Sequence, residues 1–386
     1  MTGVQTCALP ISGRYLLLRD HISGLEFIRR VDDLSEKGLF VTLGAYKYHA
    51  FLDLREVTET AAEPWGALHD LLDGAGVPDI RRALTMLTVA PLHAAFRRLA
   101  NPATFKALIA ARAAKGPVKM TATTRKLLLR LAVHHRSFLD ELRLLHGGTG
   151  DVDILAGLFA HDLAAFIELP SVDLAPIHPP AQEWLTSVVG DDVSALLMMF
   201  GWTLTARLSQ ITLDRNDGPT SNEILRKYLL EEVFLTLFRE MGRGERHADM
   251  EQRHIRAFVY YQNWWRQYPQ DDLCHAMMED VFADENMHRI LQMNEYRGVR
   301  YFNKEAFEHF VNGLFVMAVL DIIRGDLTPA KKKKELATRT ALARKLLDAM
   351  LLSEYRVDKL LEALATHTLS PDGQLPATGS LVTEAP

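Results

Sequence analysis

The period of the hydrophobic pattern changes once along this chain, near residue 60. From Arg14 to Val57 apolar residues come in short runs broken by turn formers. Arg14-Tyr15-Leu16-Leu17-Leu18 leads into Arg19-Asp20, and Leu25-Glu26-Phe27-Ile28 follows a turn at Ser23-Gly24. Gly38 to Leu43 and Tyr46 to Leu54 form two more runs, with Gly44-Ala45 read as the hairpin turn between them. Such runs predict strands. In the last of them Tyr46, Tyr48, Ala50, Leu52 and Leu54 alternate with Lys47, His49, Asp53 and Arg55, while Phe51 breaks the pattern. A period of two predicts a half-buried antiparallel strand.

Beyond Glu63 the spacing is helical to about Thr366. Asp151 is placed as the cap of a helix carrying Leu155, Leu158, Phe159 and Phe166, and Asp191 or Asp192 as the start of one carrying Leu197, Phe200, Leu204 and Ile211. Thr220 with Glu223 has the spacing of a capping box, and its helix is expected to run to Gly242. Ile255, Phe258, Val259 and Trp265 stripe the next helix. Asn303 is placed as the cap of Glu305 to Arg324, which is apolar nearly all round and so expected to be buried. Thr328-Pro329 opens a further helix. The pattern predicts about a dozen helices and no further strand. The expected fold class is therefore mainly α: a small antiparallel β remnant at the N-terminus, then a large multi-helix domain. The expected segments are 13–60 for the β part, 63–366 for the helical domain, and 367–386, rich in Ser, Pro, Gly and Thr, for a disordered tail.

Composition narrows the class. Of 386 residues 48% are hydrophobic and 24% charged, enough for a sizeable core. The net charge of −5 argues against nucleic acid as a partner. The two cysteines are Cys7 and Cys274. The apolar stretch Phe310 to Ile323 contains Asn312, Gly313 and Asp321 and falls short of the ~20 residues of a membrane span, so no membrane partner is expected. Met1 to Ser12 resembles the translation of a sequencing adapter. It is set apart as an artefactual leader, which places the start of the natural chain near Gly13 as the continuation of something longer.

Candidate chemistry is sparse. Glu251 with His254, and Glu285 with His288, form two Glu-x-x-His steps. That spacing sets carboxylate and imidazole on one helix face, as in di-iron bundles. Glu231 or Glu232 could supply one further carboxylate, with no clear second, so these four residues are weak metal candidates and no metal or cofactor is expected. His134-His135 reads as a helix face, and Lys331 to Lys334 as a solvated helix start. Gly147-Gly148-Thr149-Gly150 lacks the preceding strand and the Gly-Lys-Ser/Thr of a phosphate loop and reads as a linker. Trp264-Trp265 could stack on sugar, although at helical spacing at least one is expected in the core. No Gly-x-Ser-x-Gly elbow is present.

Longer phrases carry a resemblance. They are Leu18-Arg19-Asp20-His21-Ile22-Ser23-Gly24-Leu25-Glu26-Phe27-Ile28-Arg29, Gly38 to Leu43, Ala45 to Val57, Gly76-Val77-Pro78 with Ala83-Leu84, and Pro91-Leu92-His93. Leu230-Glu231-Glu232, Tyr261-Gln262-Asn263-Trp264 and Tyr301 to Glu308 continue it. Together these resemble large bacterial α-amylase-family glycoside hydrolases. The resemblance implies that 13–60 ends the β domain behind a catalytic barrel and that 63–366 is a helical extension. It implies an activity on α-glucosidic bonds that uses an aspartate nucleophile, a glutamic acid and a second aspartate at barrel-strand ends. None of the three has a counterpart here, so no catalytic residue is assigned, and Asp20, Asp53 and Glu56 read as structural. The implied partners are the upstream barrel of the same parent chain and, through that enzyme, an α-glucan. The expected location is cytoplasmic, since with the leader set apart Cys274 alone remains and no internal disulfide is possible. A free-standing helical interaction or scaffold protein is the alternative, and a di-iron bundle a remote one.

Overall fold

A computed structural model describes residues 13–41, 48–112, 120–190, 192–212 and 217–366. It is 68% helical, with a small antiparallel sheet near the N-terminus followed by many helices. Backbone contacts divide the chain into two compact units, Met1–Ala94 and Ala95–Pro386. The first unit therefore runs well past the change in periodicity.

In the first unit β1 (Arg14–Asp20), β2 (Glu26–Arg30), α1 (Val31–Lys37), β3 (Phe51–Thr58), α2 (Trp65–Leu72) and α3 (Ile80–Thr88) follow in order. The sheet order is β2-β1-β3, antiparallel throughout. Tyr15, Leu17 and Ile28 face Trp65, Leu68, Ile80 and Leu84 and close a small core. A single sheet needs such a cover, because its apolar face is otherwise left in water.

The turn from β1 to β2 is tied by Asp20, whose side chain is fully buried. Its carboxylate accepts from the backbone N–H of Ile22, Ser23 and Ala50, and it meets His49 Nδ1 at 2.8 Å. The Ser23 hydroxyl, followed by His49, holds this carboxyl well below the usual carboxylate range. Replacing Asp20 by alanine would leave three buried or half-buried N–H groups without an acceptor, each an expensive loss. The expected result is faster hydrogen exchange across β1, β2 and β3 with the second unit unchanged. Wild-type protection of these strands in the variant would contradict this role.

The sheet departs from the expected pattern in four ways. Residues 38–41 form no strand, and the Gly44-Ala45 turn lies outside the described residues. A helix, α1, stands between β2 and residue 38, within the stretch where only strand-like runs were expected; Asp32 and Asp33 favour its N-terminus and Lys37 its C-terminus. β3 begins at Phe51, not Tyr46. Finally, β3 carries a bulge: Leu17 pairs with Arg55 but Arg19 pairs with Leu52, and Asp53 takes a left-handed φ of 54°. An extra residue shifts the alternation between faces. Phe51 and Val57 are thus half-buried, while Leu52 and Leu54 are exposed.

In the chain order that follows, α4 (Ala90–Arg97), α5 (Pro102–Arg112), α6 (Ala122–His146), α7 (Val152–Glu168), α8 (Pro179–Val188) and α9 (Val193–Thr205) precede a second run. That run comprises α10 (Gly218–Lys227), α11 (Leu230–Glu240), α12 (Glu245–Tyr261), α13 (Trp264–Gln267), α14 (Leu273–Ala283), α15 (Glu285–Ile290), α16 (Lys304–Arg324), α17 (Pro329–Leu352) and α18 (Val357–Thr366). Asp151, Asp192, Asn303 and Thr328 each accept a backbone N–H of the turn they open. This is the exchange that makes such residues good N-caps.

In the second unit α6 packs on α7, α16 on α17, and α12 against α9, α10 and α11. α12 comes close to α9 at Gly201, where a Cβ would sit 2.2 Å from Ile255 Cδ1, and to α10 at Gly218, where it would sit 2.2 Å from the Tyr260 carbonyl oxygen. Phe138, Phe159, Phe166, Phe200, Phe234, Phe258 and Trp264 fill the interior. The Lys304–Arg324 helix is long and apolar enough to cross a membrane by composition, and 61% of that window is buried inside the unit.

Four helical expectations are corrected. The helix opened by Asp192 ends at Thr205, short of Ile211, and the one striped by Ile255, Phe258 and Val259 ends at Tyr261, so that Trp265 lies on α13. The capping box at Thr220 is not the start of α10. Asp217 is the cap, accepting from Thr220 N–H at 3.2 Å, and Pro219 occupies the first turn. The helix expected to run to Gly242 breaks at Leu229, whose φ of 52° is left-handed, and resumes as α11. One strand pair was also unforeseen. Asn294–Tyr296 and Val299–Tyr301 form a hairpin across Arg297 and Gly298, both at positive φ. Strands this short give no readable alternation.

Candidate functional site

The most elaborate polar construction in the second unit grows from one acid on an apolar helix face. Asp162 lies on α7 among Phe159, Leu163 and Phe166 and is buried. Arg207, just after α9, grips it with Nε at 2.6 Å and Nη2 at 3.0 Å. Arg324, the last residue of α16, reaches it from Nη1 at 2.9 Å. The side chains of Asp162, Arg207 and Arg324 are 4%, 18% and 13% exposed, so the cluster is largely out of water. Two guanidinium groups share one carboxylate. Burial lowers the Arg324 pKa, and Asp162 opposes that shift.

The two arginines of this cluster, Arg207 and Arg324, line a cavity of about 620 Å³. Arg324 lies over the Trp202 ring at 5.8 Å. Trp202 Nε1 donates to Gln262 Oε1 at 3.2 Å, and Gln262 Nε2 donates to the Ala206 carbonyl at 2.7 Å. On another wall Asp321 accepts from Arg266 at 2.9 Å and from Arg339 at 2.8 Å. Arg339 also pairs with Glu335 and lies over Trp265 at 4.2 Å. A second cavity, of about 500 Å³, shares Trp265, Arg266 and Asp321 with the first and reaches Lys331.

The walls are thus planar, polar and locked by their own hydrogen bonds. The larger cavity is lined by no histidine, cysteine or serine among the described residues, and two arginines hold its Asp321. Its lining carboxylates are those of Asp217 and Asp321.

The metal candidates do not converge. Glu251 Oε1 accepts from Ser194 Oγ at 2.9 Å and from Arg243 Nε at 2.8 Å. His254 Nδ1 donates to the Met250 carbonyl at 2.8 Å, and its ring meets His309 edge-on at 5.3 Å. Glu285 sits in the exposed first turn of α15, and His288 Nε2 donates to the Phe282 carbonyl at 2.8 Å. Glu231 is half-buried, which raises its pKa, and Arg256 is among its neighbours. Among the described residues no three His, Cys, Asp or Glu side chains gather as metal ligands. Equal i, i+3 spacing put each pair on one face, but each face met different packing.

The remaining sequence features have structural places. His135 is buried, stacked on Phe159 at 4.2 Å, while burial and nearby Arg98 and Arg130 lower the pKa of His134. The Gly147–Gly150 segment joins α6 to α7. A Cβ on Gly148, at φ +122°, would fall 2.1 Å from the Ile211 carbonyl oxygen. Gly148 and Gly150 thus answer a close backbone approach, and Gly147 takes a positive φ of 79° with open space around it. Trp264 is wholly buried and donates to the Leu314 carbonyl, whereas its neighbour Trp265 lines both cavities.

Sequence reasoning missed Asp162, Arg207, Gln262, Asp321, Arg324 and Arg339. One signal was available: Asp162 is three residues after Phe159 and four before Phe166, an acid on the stripe assigned to the core. The partners of Asp162 are 45 and more residues away, beyond any local pattern.

Comparison with protein-family models, with curated proteins and with solved structures finds no match to this chain.

Proposed function

We propose that this chain is the accessory C-terminal region of an α-amylase-family glycoside hydrolase acting on α-glucans, and that it is not catalytic by itself. The observation that carries this reading is the sheet of the first unit. Its strands lie within the segment whose phrases resemble that family. β3 is an edge strand with no further neighbour among the described residues, and it presents Leu52 and Leu54 at 53% and 59% exposure. An unpaired strand edge with apolar side chains is what proteins normally cover. The last strands of a larger β domain would be covered by the strands before them. The second unit supports the same reading, since its main polar site holds locked ion pairs in place of a reactive constellation.

The test is to read the gene upstream in an assembly free of adapter sequence. The expected result is an open frame that continues upstream into a barrel with the three family carboxylates. A start codon with its own ribosome-binding site near Gly13 would overturn the proposal.

A free-standing helical interaction protein is the second reading. It is favoured by Leu129 and Val133, one turn apart on α6 and 68% and 64% exposed. Residues that bind a partner tend to form exposed apolar patches.

A further inference from the structure

We propose that a cavity of about 300 Å³ lined by α7, α9, α12 and α16 binds a small neutral aromatic molecule carrying one hydroxyl group, with His309 as its hydrogen-bond partner. Three observations lead there.

The first is size and lining. Phe166, Met198, Met199, Phe258 and Val316 supply the apolar wall, and all five are buried in the second unit. Roughly 150 Å³ of apolar cavity holds benzene, so this volume admits one ring with short substituents. Phenylalanine rings and thioethers both make favourable contacts with an aromatic guest. The wall stands on helices that pack on one another: α7 meets α9 and α16, and α12 meets the same two. Such a space is already formed, so binding orders few side chains and loses little affinity to that cost.

The second is the state of the polar groups around it. Ser187 Oγ donates to the Trp184 carbonyl at 2.8 Å, and Asn312 Oδ1 accepts from Trp184 Nε1 at 2.9 Å. Arg112 Nη1 donates to the Phe166 carbonyl, and Asp192 accepts the Ser194 N–H as the cap of α9. All four are engaged. His309, on α16, differs. It is half-buried and lines the cavity, and among the described residues its ring nitrogens meet no hydrogen-bond partner, yet neither is shut off from water. Burial lowers its pKa although nearby Asp192 opposes the shift, so the ring is neutral near pH 7. A neutral imidazole has one N–H and one bare nitrogen, and a hydroxyl group can answer either.

The third is charge. Arg112 and Asp192 both line the cavity, so an ion of either sign meets a like charge there. It would also give up hydration against the apolar wall. A neutral guest meets neither cost.

The experiment is calorimetric titration of the full chain with p-cresol, toluene and benzoate, with p-cresol repeated on His309→Phe and Ala195→Leu. His309→Phe keeps a ring and removes both nitrogens. Ala195 is half-buried on α9 and lines the cavity, so leucine there fills the space and removes no hydrogen bond. The expected result is p-cresol bound about tenfold more tightly than toluene or benzoate, the size of one net hydrogen bond. His309→Phe should bring p-cresol down to the level of toluene, and Ala195→Leu should abolish its binding. Toluene held as tightly as p-cresol, benzoate held more tightly, p-cresol binding that neither variant weakens, or no heat with p-cresol would each overturn the proposal. The comparison of p-cresol with toluene uses the unaltered chain, so it decides even where a variant fails to fold. The cavity lies wholly within the second unit, and the outcome is independent of the upstream reading frame.

Discussion

Replacing Asp162 by alanine is expected to cost the second unit about 3–5 kcal/mol, the usual range when one partner leaves a buried ion cluster. The size follows from what remains. Arg207 and Arg324 would stay in place, largely out of water, with no carboxylate between them. Each would then hold a charge whose hydration was given up for Asp162. Arg324 already shows the pressure, since burial lowers its pKa even with the acid present. Asp162→Asn keeps an acceptor of similar shape but loses the charge, and a loss between wild type and alanine is expected. Replacing all three residues by apolar ones of similar volume should recover much of the stability, because the charges then leave together. Urea unfolding followed by far-ultraviolet circular dichroism measures each step. An Asp162→Ala protein as stable as wild type would show that the cluster is not closed in solution.

Acid is expected to unfold the second unit in a window set by two histidines. Burial pushes His135 and His254 down to about 4 from the ordinary 6.5. Both are therefore neutral in the fold, while the unfolded chain takes up protons as pH falls through 6.5. Stability from these groups is complete above about 6.5 and is lost progressively towards 4, by up to about 3 kcal/mol for each. Burial also lowers His309, which meets His254 edge-on and adds in the same direction. Asp20 acts in the same direction but over a lower pH range. Its lowered pKa gives a contribution present above the ordinary carboxylate value and lost only below it, so it does not weaken the first unit in this window. Melting temperatures between pH 7 and 4, with hydrogen exchange to separate the units, should show the second unit weakening first. His135→Phe and His254→Leu should each flatten its pH dependence. A pH profile unchanged by both substitutions would rule this cause out.

Much of the helical architecture was legible because its signals are local. Asp151, Asp192, Asn303 and Thr328 cap the helices they precede. An N-cap needs only a short polar side chain within reach of an N–H two or three residues on. The burial of the helix after Asn303 was legible too, since a helix apolar on every side must be covered by neighbours. The errors arose where backbone conformation ran against residue type. Leu229 and Asp53 adopt left-handed φ, one splitting a helix and the other shifting a strand's faces. Such conformations cost L-residues energy, and nothing in either residue's immediate neighbours announces that packing has imposed one. The candidate site was less legible still. The Glu-x-x-His steps were visible as spacing but met Arg243, the Met250 carbonyl and the Phe282 carbonyl instead of each other.

The sequence alone determined the class of the fold, a few strands and then many helices, and where the helices after Asp151, Asp192, Asn303 and Thr328 begin. Both follow from apolar period and short-range hydrogen bonding. Only the tertiary structure decided that Asp162, Arg207 and Arg324 share one buried site, that Trp265 borders a cavity while Trp264 fills the core, and that β3 turns its leucines outward. Those outcomes depend on contacts between residues far apart in the chain, and on a low-dielectric interior in which a charge stays only where another charge meets it.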